Sequence, residues 1–466
     1  MVEFKSEWSK IKWGLPRWFY DAKFGIYCHF GVYCVPAFDN EWYSHNMYVP
    51  GHKANTYHIE KYGHPSKFGY KDFIPMFKAE KFSADEWAEV FIRSGAKFAG
   101  VVAEHADGFA MWNSNLTEWC ASKMGPERDI VGEAQNAFQK RGLKFLATFH
   151  HHWNWGWYPT YDETVDASNP AFSGLYGPYA PRSAFGINPD PKPSMDFQIL
   201  WMNKIKEVID NYSPDIIYFD SRLQIIDEDI RKEVVEYYYS KSKNAGREVL
   251  VVYKDGDLPS NIGVLTIERS RMSVLKDYVW LQDDSIDWKS WCYVQDPHLK
   301  NAGRLVDQLV DVVSKNGILL LNVTPKANGE IPEEVKRILF EIGDWLVING
   351  EAIYGSRPWR VFGEGPTYFS DEVVGEVSVP AFLPGDVRFT RKCDILYAIL
   401  LEWPGEKITI KSLAKDLVEG KICEVNLLGS DRKIRWQQDP NGLTVQLPPE
   451  KPCKYAYVLR VKMDKA

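Results

Sequence analysis

Short apolar runs bounded by turn-forming residues recur along the first three quarters of the chain, at 24–30, 98–103, 144–149, 215–219, 249–253, 264–267, 278–281 and 318–323. Runs of this length without polar alternation predict strands buried on both faces. Between them, apolar positions fall at helical spacing over 84–94, entered through Ser83, and over 131–140, 194–212, 228–243 and 302–314. Strands alternating with helices require crossover connections and a parallel sheet, and eight strands close a (β/α)8-like barrel. No glycine-rich dinucleotide fingerprint follows the first strand, so an open Rossmann sheet loses its main support.

After a helical stretch at 333–347 the pattern changes. From Asn349-Gly350 onward, strand-like runs at 387–391, 395–402, 407–410, 423–428, 434–438, 443–447 and 455–461 are separated by turn residues. Asn441-Gly442 reads as a type I′ hairpin turn. The expected organisation is a barrel over 1–355 followed by a C-terminal β-sandwich over 356–466, and a chain of 466 residues is too long for one core.

Composition narrows the partners. Apolar residues make up 45% and charged residues 26%, a soluble globular balance, while 14% aromatics with 18 Trp suit either sugar stacking or a large core. A net charge of -7 offers no footprint for a phosphate backbone, so nucleic acid is not an expected partner. The N-terminus lacks the basic and apolar segments of a leader, and no run is long enough to span a membrane. Seven scattered cysteines without metal-ligand spacing predict reduced thiols in a cytoplasmic protein.

In a barrel the chemistry gathers at the C-terminal ends of the strands. Those ends carry His29, His105 with Asp107, His150-His151-His152 with Trp153 and Trp155, Asp220, Lys254, Glu268, Gln282-Asp283-Asp284, Asn322 and Lys326. Asp220 and Glu268 each close an apolar strand, and two acids delivered to one mouth suit glycoside hydrolysis. The structural alternative is that each caps a loop or pairs with an arginine, Arg269 or Arg271 in the case of Glu268. His150 and His152 form an H-x-H pair of the kind metal hydrolases use. Every histidine except His298 precedes residue 153, however, so the fourth to sixth strands bring none and no metal site is expected.

Several local motifs agree with one another. The segment from Trp18 to Tyr33, Val35-Pro36-Ala37-Phe38, Glu41-Trp42-Tyr43, His105 with Asp107-Gly108-Phe109 and Trp112, Tyr218-Phe219-Asp220, Val313-Ser314-Lys315-Asn316-Gly317 with Leu320-Leu321-Asn322-Val323, and Asn349-Gly350-Glu351-Ala352-Ile353-Tyr354 resemble α-L-fucosidases of glycoside hydrolase family 29. They do so in order over nearly the whole chain. The resemblance implies a retaining exo-glycosidase that hydrolyses α-L-fucosides through a covalent intermediate on Asp220. It implies that His29, Glu41, Trp42 and His105 hold the sugar hydroxyls, and that Trp291, in Ser290-Trp291-Cys292-Tyr293, lies near the fucose methyl group; His150 and Trp153 join this substrate-binding set. Cys292 stands where the family usually has Gly. No cofactor is implied, the expected partner is a fucosylated glycan or glycoside rather than nucleic acid or membrane, and self-association into a homo-oligomer is left open.

Two departures bear on mechanism. Members with Trp-Glu at the seventh strand place the acid/base there, but here the pair is Trp280-Leu281, so the choice falls on Glu268 in Glu268-Arg269-Ser270-Arg271, then Glu41, then Asp283 or Asp284. The family usually has a second His after His105, where this chain has Ala106. Ala106→His is therefore expected to raise kcat/KM on fucosides, unless His150, His151 or Trp153 fills the gap. Two other functions stand beside this reading: a non-catalytic sugar-binding protein on a glycosidase scaffold, and a metal-dependent barrel hydrolase.

Overall fold

All eight apolar runs are strands of one closed parallel barrel, joined in chain order. They are β1 (Phe24–Cys28), β2 (Phe98–Glu104), β3 (Lys144–Phe149), β4 (Ile216–Phe219), β5 (Leu250–Tyr253) and β6 (Val264–Glu268), then, past the short outlying β7 (Ser270–Met272), β8 (Trp280–Ser285) and β9 (Gly317–Val323). β1 closes the ring, with Gly25 opposite Phe98 on one side and Leu320 on the other. The computed structural model describes residues 7–185, 191–369 and 372–464; residues 1–6, part of the segment read above for a leader, lie outside them. Among the described residues no helix is long and apolar enough to cross a membrane.

Several of the surrounding helices start at side-chain caps. Ser83 accepts from the Glu86 amide ahead of Ala84–Arg93, Ser194 from Phe197 ahead of Met195–Tyr212, and Asn301 from Arg304 ahead of Ala302–Ser314. Each cap satisfies an amide that no helical carbonyl can reach. The two-residue period of the strands then sorts the core. Tyr27, Leu146, Tyr218, Val252 and Leu320 pack together inside the barrel, and Ile26, Ala147, Ile217, Val251 and Leu321 pack outward beneath the helices.

β8 lies later than its apolar run predicts, because its second half is Gln282-Asp283-Asp284, polar residues that read as a loop. They are buried all the same. Partners supplied by the fold, described below, make that burial affordable.

The rest of the chain forms β10 (Arg357–Glu364), β11 (Val373–Gly375), β12 (Val387–Lys392), β13 (Ile395–Leu400), β14 (Lys407–Ile410), β15 (Ile422–Leu427), β16 (Arg435–Asp439), β17 (Gly442–Gln446) and β18 (Tyr457–Met463). A five-stranded sheet of order β10-β12-β13-β18-β15 faces a three-stranded sheet of order β14-β17-β16. Phe389, Leu396 and Leu459 of the first share a core with Ile410, Leu443 and Val445 of the second, which makes the expected sandwich. β10 was not legible as a strand: it contains Pro358 and Gly363, and its register breaks between them. The hairpin at Asn441-Gly442 exists, but Asp439 pairs with Gly442, so the turn residues are Pro440 and Asn441. Proline cannot adopt the positive φ that a type I′ turn demands at that position, so the predicted turn type is wrong and Gly442 belongs to the strand.

Barrel and sandwich meet on a buried carboxylate. Asp311, on the helix Ala302–Ser314, accepts from Arg271 Nη1 of β7 at 3.2 Å, from Arg388 Nε of β12 at 2.6 Å and from Lys315 Nζ at 2.7 Å. All four side chains are at most 2% exposed. Burial alone would raise the Asp311 pKa, but Lys315, Arg388 and Arg271 together hold it well below the usual carboxylate range. Asp311→Ala takes the carboxylate from Lys315 and Arg388 and one of two from Arg271, and is expected to lower stability by about 3 to 5 kcal/mol in urea unfolding at pH 7. A carboxyl depressed in the folded state stabilises above its unfolded value of about 4 and loses that contribution as pH falls below it. The wild-type and variant stabilities should therefore converge in acid, and equal stabilities at pH 7 would contradict the arrangement.

Candidate active site

The strand period that fills the barrel also equips its mouth. Two residues beyond the inward-facing Tyr27, Tyr218, Val252 and Leu320 stand His29, Asp220, Lys254 and Asn322, and four beyond Leu146 and Val264 stand His150 and Glu268. β2 reaches the same result by a correction. Its register slips between Val102 and Glu104, which turns Glu104 outward onto Lys204 Nζ at 2.6 Å. His105 thereby faces inward, its ring 5.0 Å from that of His150 and 5.5 Å from that of His29. Bulges beside active sites commonly re-aim a side chain in this way.

The charged centre is Lys254. Its Nζ donates to Asp220 Oδ1 at 2.8 Å and to Glu268 Oε2 at 2.6 Å, with Asp283 Oδ2 at 3.4 Å. Burial would raise the Asp220 pKa, but the Lys254 ammonium outweighs it and holds the carboxyl well below the usual range. Asp220 is thus an anion at neutral pH. Asp283 lies deeper, accepting from Tyr218 Oη at 2.9 Å and Thr266 Oγ1 at 2.7 Å, so it serves as the lysine's buried counter-ion. Asp284 points the other way, to Lys300 and to Gln308 Nε2 at 2.8 Å. Neither is available as the acid/base that sequence ranked third. Glu268 pairs with neither Arg269 nor Arg271: Arg269 holds the carbonyls of Asp287, Trp288 and Ser290, and Arg271 is committed to Asp311 and Glu376.

Beside the charges stand neutral imidazoles. Asn322 Nδ2 donates to Ser285 Oγ and to the Trp291 carbonyl, so its Oδ1 is the acceptor for His29, whose Nδ1 lies 2.9 Å away. His29 must then donate from Nδ1, which leaves Nε2 with a lone pair. Burial pushes the His29 and His150 pKa values far down and that of His105 to about 4. The facing nitrogens of these three rings lie within 4.8 Å of one another. Trp291 closes the far side, 5.3 Å from His29, beneath the Arg269 guanidinium at 4.6 Å. Its backbone amide donates to Glu41 Oε2 at 2.9 Å, and burial raises the Glu41 carboxyl to about 7.

Trp42 and Trp153 meet edge to face at 5.6 Å and form an aromatic rim with Trp157 and Phe185. Trp157 links this rim to His105 at 6.3 Å. The other two histidines of the triplet leave the pocket: His151 turns toward the Trp201 carbonyl, and His152 lies 2.7 Å from the Ser221 carbonyl, bracing the turn after Asp220. Sequence reasoning placed Lys254 and Asn322 on the ring but gave neither a role, and it missed Arg269 as the support of Trp291. The signal for Lys254 was the one that selected Asp220, a polar residue two beyond an inward-facing strand residue.

Residues 2–351 match the family model described as Alpha-L-fucosidase, and residues 382–462 match the Alpha-L-fucosidase C-terminal domain. The tissue alpha-L-fucosidase of Rattus norvegicus is 31% identical over 444 residues, 93% of this chain and 86% of the relative. That of Homo sapiens is 29% identical over 460 residues, 96% and 89% of the two chains. Among solved structures, Thermotoga maritima alpha-fucosidase in complex with fucose superposes with a TM-score of 0.76 at 28% identity, covering 96% of this chain and 97% of that one. Two family models spanning both parts of the fold, with relatives aligned almost end to end, make this chain a member of the α-L-fucosidase family, glycoside hydrolase family 29.

Proposed function

We propose that this protein removes terminal α-L-fucose from fucosylated glycans or glycosides with retention, through a covalent intermediate on Asp220. The observation that carries the reading is that Asp220 and Glu268 share one ammonium. Sitting 2.8 and 2.6 Å from Lys254 Nζ, their nearest oxygens can be no more than about 5.4 Å apart, which suits a retaining pair at about 5 to 5.5 Å rather than an inverting one at about 6.5 to 9.5 Å. Solved relatives in complex with fucose and with a mechanism based inhibitor support the sugar and the covalent route.

In the first step an Asp220 oxygen bonds to the anomeric carbon as the glycosidic C–O bond breaks, and Glu268 gives its proton to the departing oxygen. Water then takes the aglycone's place, passes a proton to Glu268 and cleaves the ester, which restores Asp220. The Glu268 carboxyl sits 2.6 Å from Lys254 Nζ and turns from it to meet the departing oxygen. The Glu268 side chain is 42% exposed at the strand end and has room to move. His29, His105 and His150 meet hydroxyl groups without adding charge, and Glu41, Trp42, Trp153 and Trp291 complete the walls. The same three imidazoles could converge on one divalent cation; membership of a fucosidase family favours sugar hydroxyls as their partners.

Asp220→Asn keeps the shape of the nucleophile without its charge. It is expected to abolish turnover of an aryl α-L-fucoside while leaving fucose binding by calorimetry intact. A wild-type protein that binds fucose without turnover would instead indicate the non-catalytic reading.

Glu41 is a second reading for the acid/base, favoured by the burial that keeps it protonated up to about pH 7. Its Oε2 is already engaged by Trp291, which suits a positioning role better. Azide should therefore rescue Glu268→Ala on an activated aryl fucoside and should not rescue Glu41→Ala. The opposite pattern would transfer the role to Glu41.

Ala106→His is now expected to lower kcat/KM, the reverse of what the family's missing histidine suggests. Ala106 is 2% exposed among apolar side chains, and its carbonyl is held by Asn154 Nδ2 at 3.1 Å. His150 already stacks on His105 and supplies a further imidazole. Overfilling such a site costs about 1 to 3 kcal/mol, which should lower both Tm and kcat/KM. An increase in kcat/KM would restore the view that position 106 is a lost sugar contact.

A further inference from the structure

Glu268 is followed at once by a segment that leaves the ring of barrel strands. Arg269 takes a left-handed conformation, φ 44°, and β7 leaves the ring, finding its pairing partner in β11. Ser270 pairs with Gly375, Arg271 with Val374 and Met272 with Val373. The tie extends at both ends, with the Glu376 amide donating to the Arg269 carbonyl at 2.7 Å and the Ser273 amide to the Glu372 carbonyl at 2.9 Å.

Side chains lock the same join. Arg271 Nε and Nη2 both donate to Glu376 Oε2, at 3.0 and 2.5 Å, with Arg271 0% and Glu376 2% exposed. Residues 372–376 fall between the two spans matched by the family models, 2–351 and 382–462. The Glu268 side chain has one hydrogen-bonded anchor among the described residues, Lys254. Its direction therefore depends also on its backbone, and the backbone beyond it is held by the Arg269 amide on the Asp283 carbonyl at 2.9 Å, by Arg271 on Asp311 and, from the segment between barrel and sandwich, by Glu376.

We propose that Glu376, through Arg271, is a positioning residue for Glu268, so that the segment between barrel and sandwich takes part in protonating the departing aglycone. The inference rests on the reading of Glu268 as the acid/base. Arg269 belongs to the same unit. It carries the carbonyls ahead of Trp291, so the strand pair sets one wall of the sugar pocket together with the acid. Proton transfer is sensitive to small misplacements of the donor, whereas attack by Asp220 on a substrate with a self-sufficient leaving group does not need the donor.

The test compares wild type, Glu376→Ala, Glu376→Gln and Glu268→Ala on two α-L-fucosides. One carries a dinitrophenyl aglycone, which leaves without protonation, and the other an alkyl aglycone, which requires it. Glu376→Ala should lose at least about tenfold in kcat/KM on the alkyl fucoside and less than about threefold on the dinitrophenyl fucoside, with Glu376→Gln between it and wild type. Removing Glu376 leaves Arg271 with Asp311 as its one remaining carboxylate, which lowers stability; the ratio of the two rates does not depend on the folded fraction. If Glu376→Ala fails to fold, Glu376→Gln carries the test through the same ratio. Equal losses on both substrates, or none, with Glu268→Ala showing the aglycone dependence, would overturn the inference. A Glu268→Ala variant without that dependence would overturn the acid/base reading and this inference with it.

Discussion

A lysine ammonium buried at the mouth of a barrel is the constraint around which this site is built. Lys254 cannot remain charged away from water unless anions surround it, and the strands on either side supply three: Asp220 from the end of β4, Glu268 from the end of β6 and Asp283 from within β8. The exchange works in both directions. The ammonium holds Asp220 ionised in a place where burial would otherwise favour the neutral acid, so a carboxylate persists in a low-dielectric pocket. Asp283, fixed by Tyr218 and Thr266, keeps the lysine in place from below. The carboxylates of Asp220 and Glu268 are therefore brought to one ammonium, 2.8 and 2.6 Å from its nitrogen.

The polar remainder of the pocket is neutral by the same physics. Histidines packed against one another and against Trp291 lose their protons because burial outweighs the pull of the Asp220 carboxylate, and a neutral imidazole can accept or donate to a hydroxyl without disturbing the charged centre. Asn322 selects the tautomer of His29, and Arg269 supports Trp291 from above. Residues that never touch the sugar thus decide what the sugar meets.

The two parts of the chain are joined by charges that a sugar-binding mouth does not require. Asp311 gathers cations from β7, β12 and its own helix, and Glu376 takes the other face of Arg271. Ion pairs this deep stabilise little when compared with apolar packing of the same volume, but breaking one of them is costly. Their effect is to fix one arrangement of sandwich against barrel. β7 begins two residues after Glu268, so that arrangement reaches the mouth of the barrel.

The sequence by itself determined the barrel, the sandwich and the polar ring, because buried parallel strands leave uninterrupted apolar runs and the period of two states which residue next faces inward. Asp220 and Glu268 were legible because each closes such a run, as was the helix cap at Ser83. β8 and β10 were obscured where buried acids or a proline broke the apolar pattern, since only their three-dimensional partners make such residues tolerable in a strand. The slip that turns His105 inward, the shared ammonium between Asp220 and Glu268, and the outward commitment of Asp284 were decided by tertiary structure. Each depends on groups far apart in the chain, such as Lys204 for Glu104 and Lys300 for Asp284, and no local pattern encodes which distant charge will arrive.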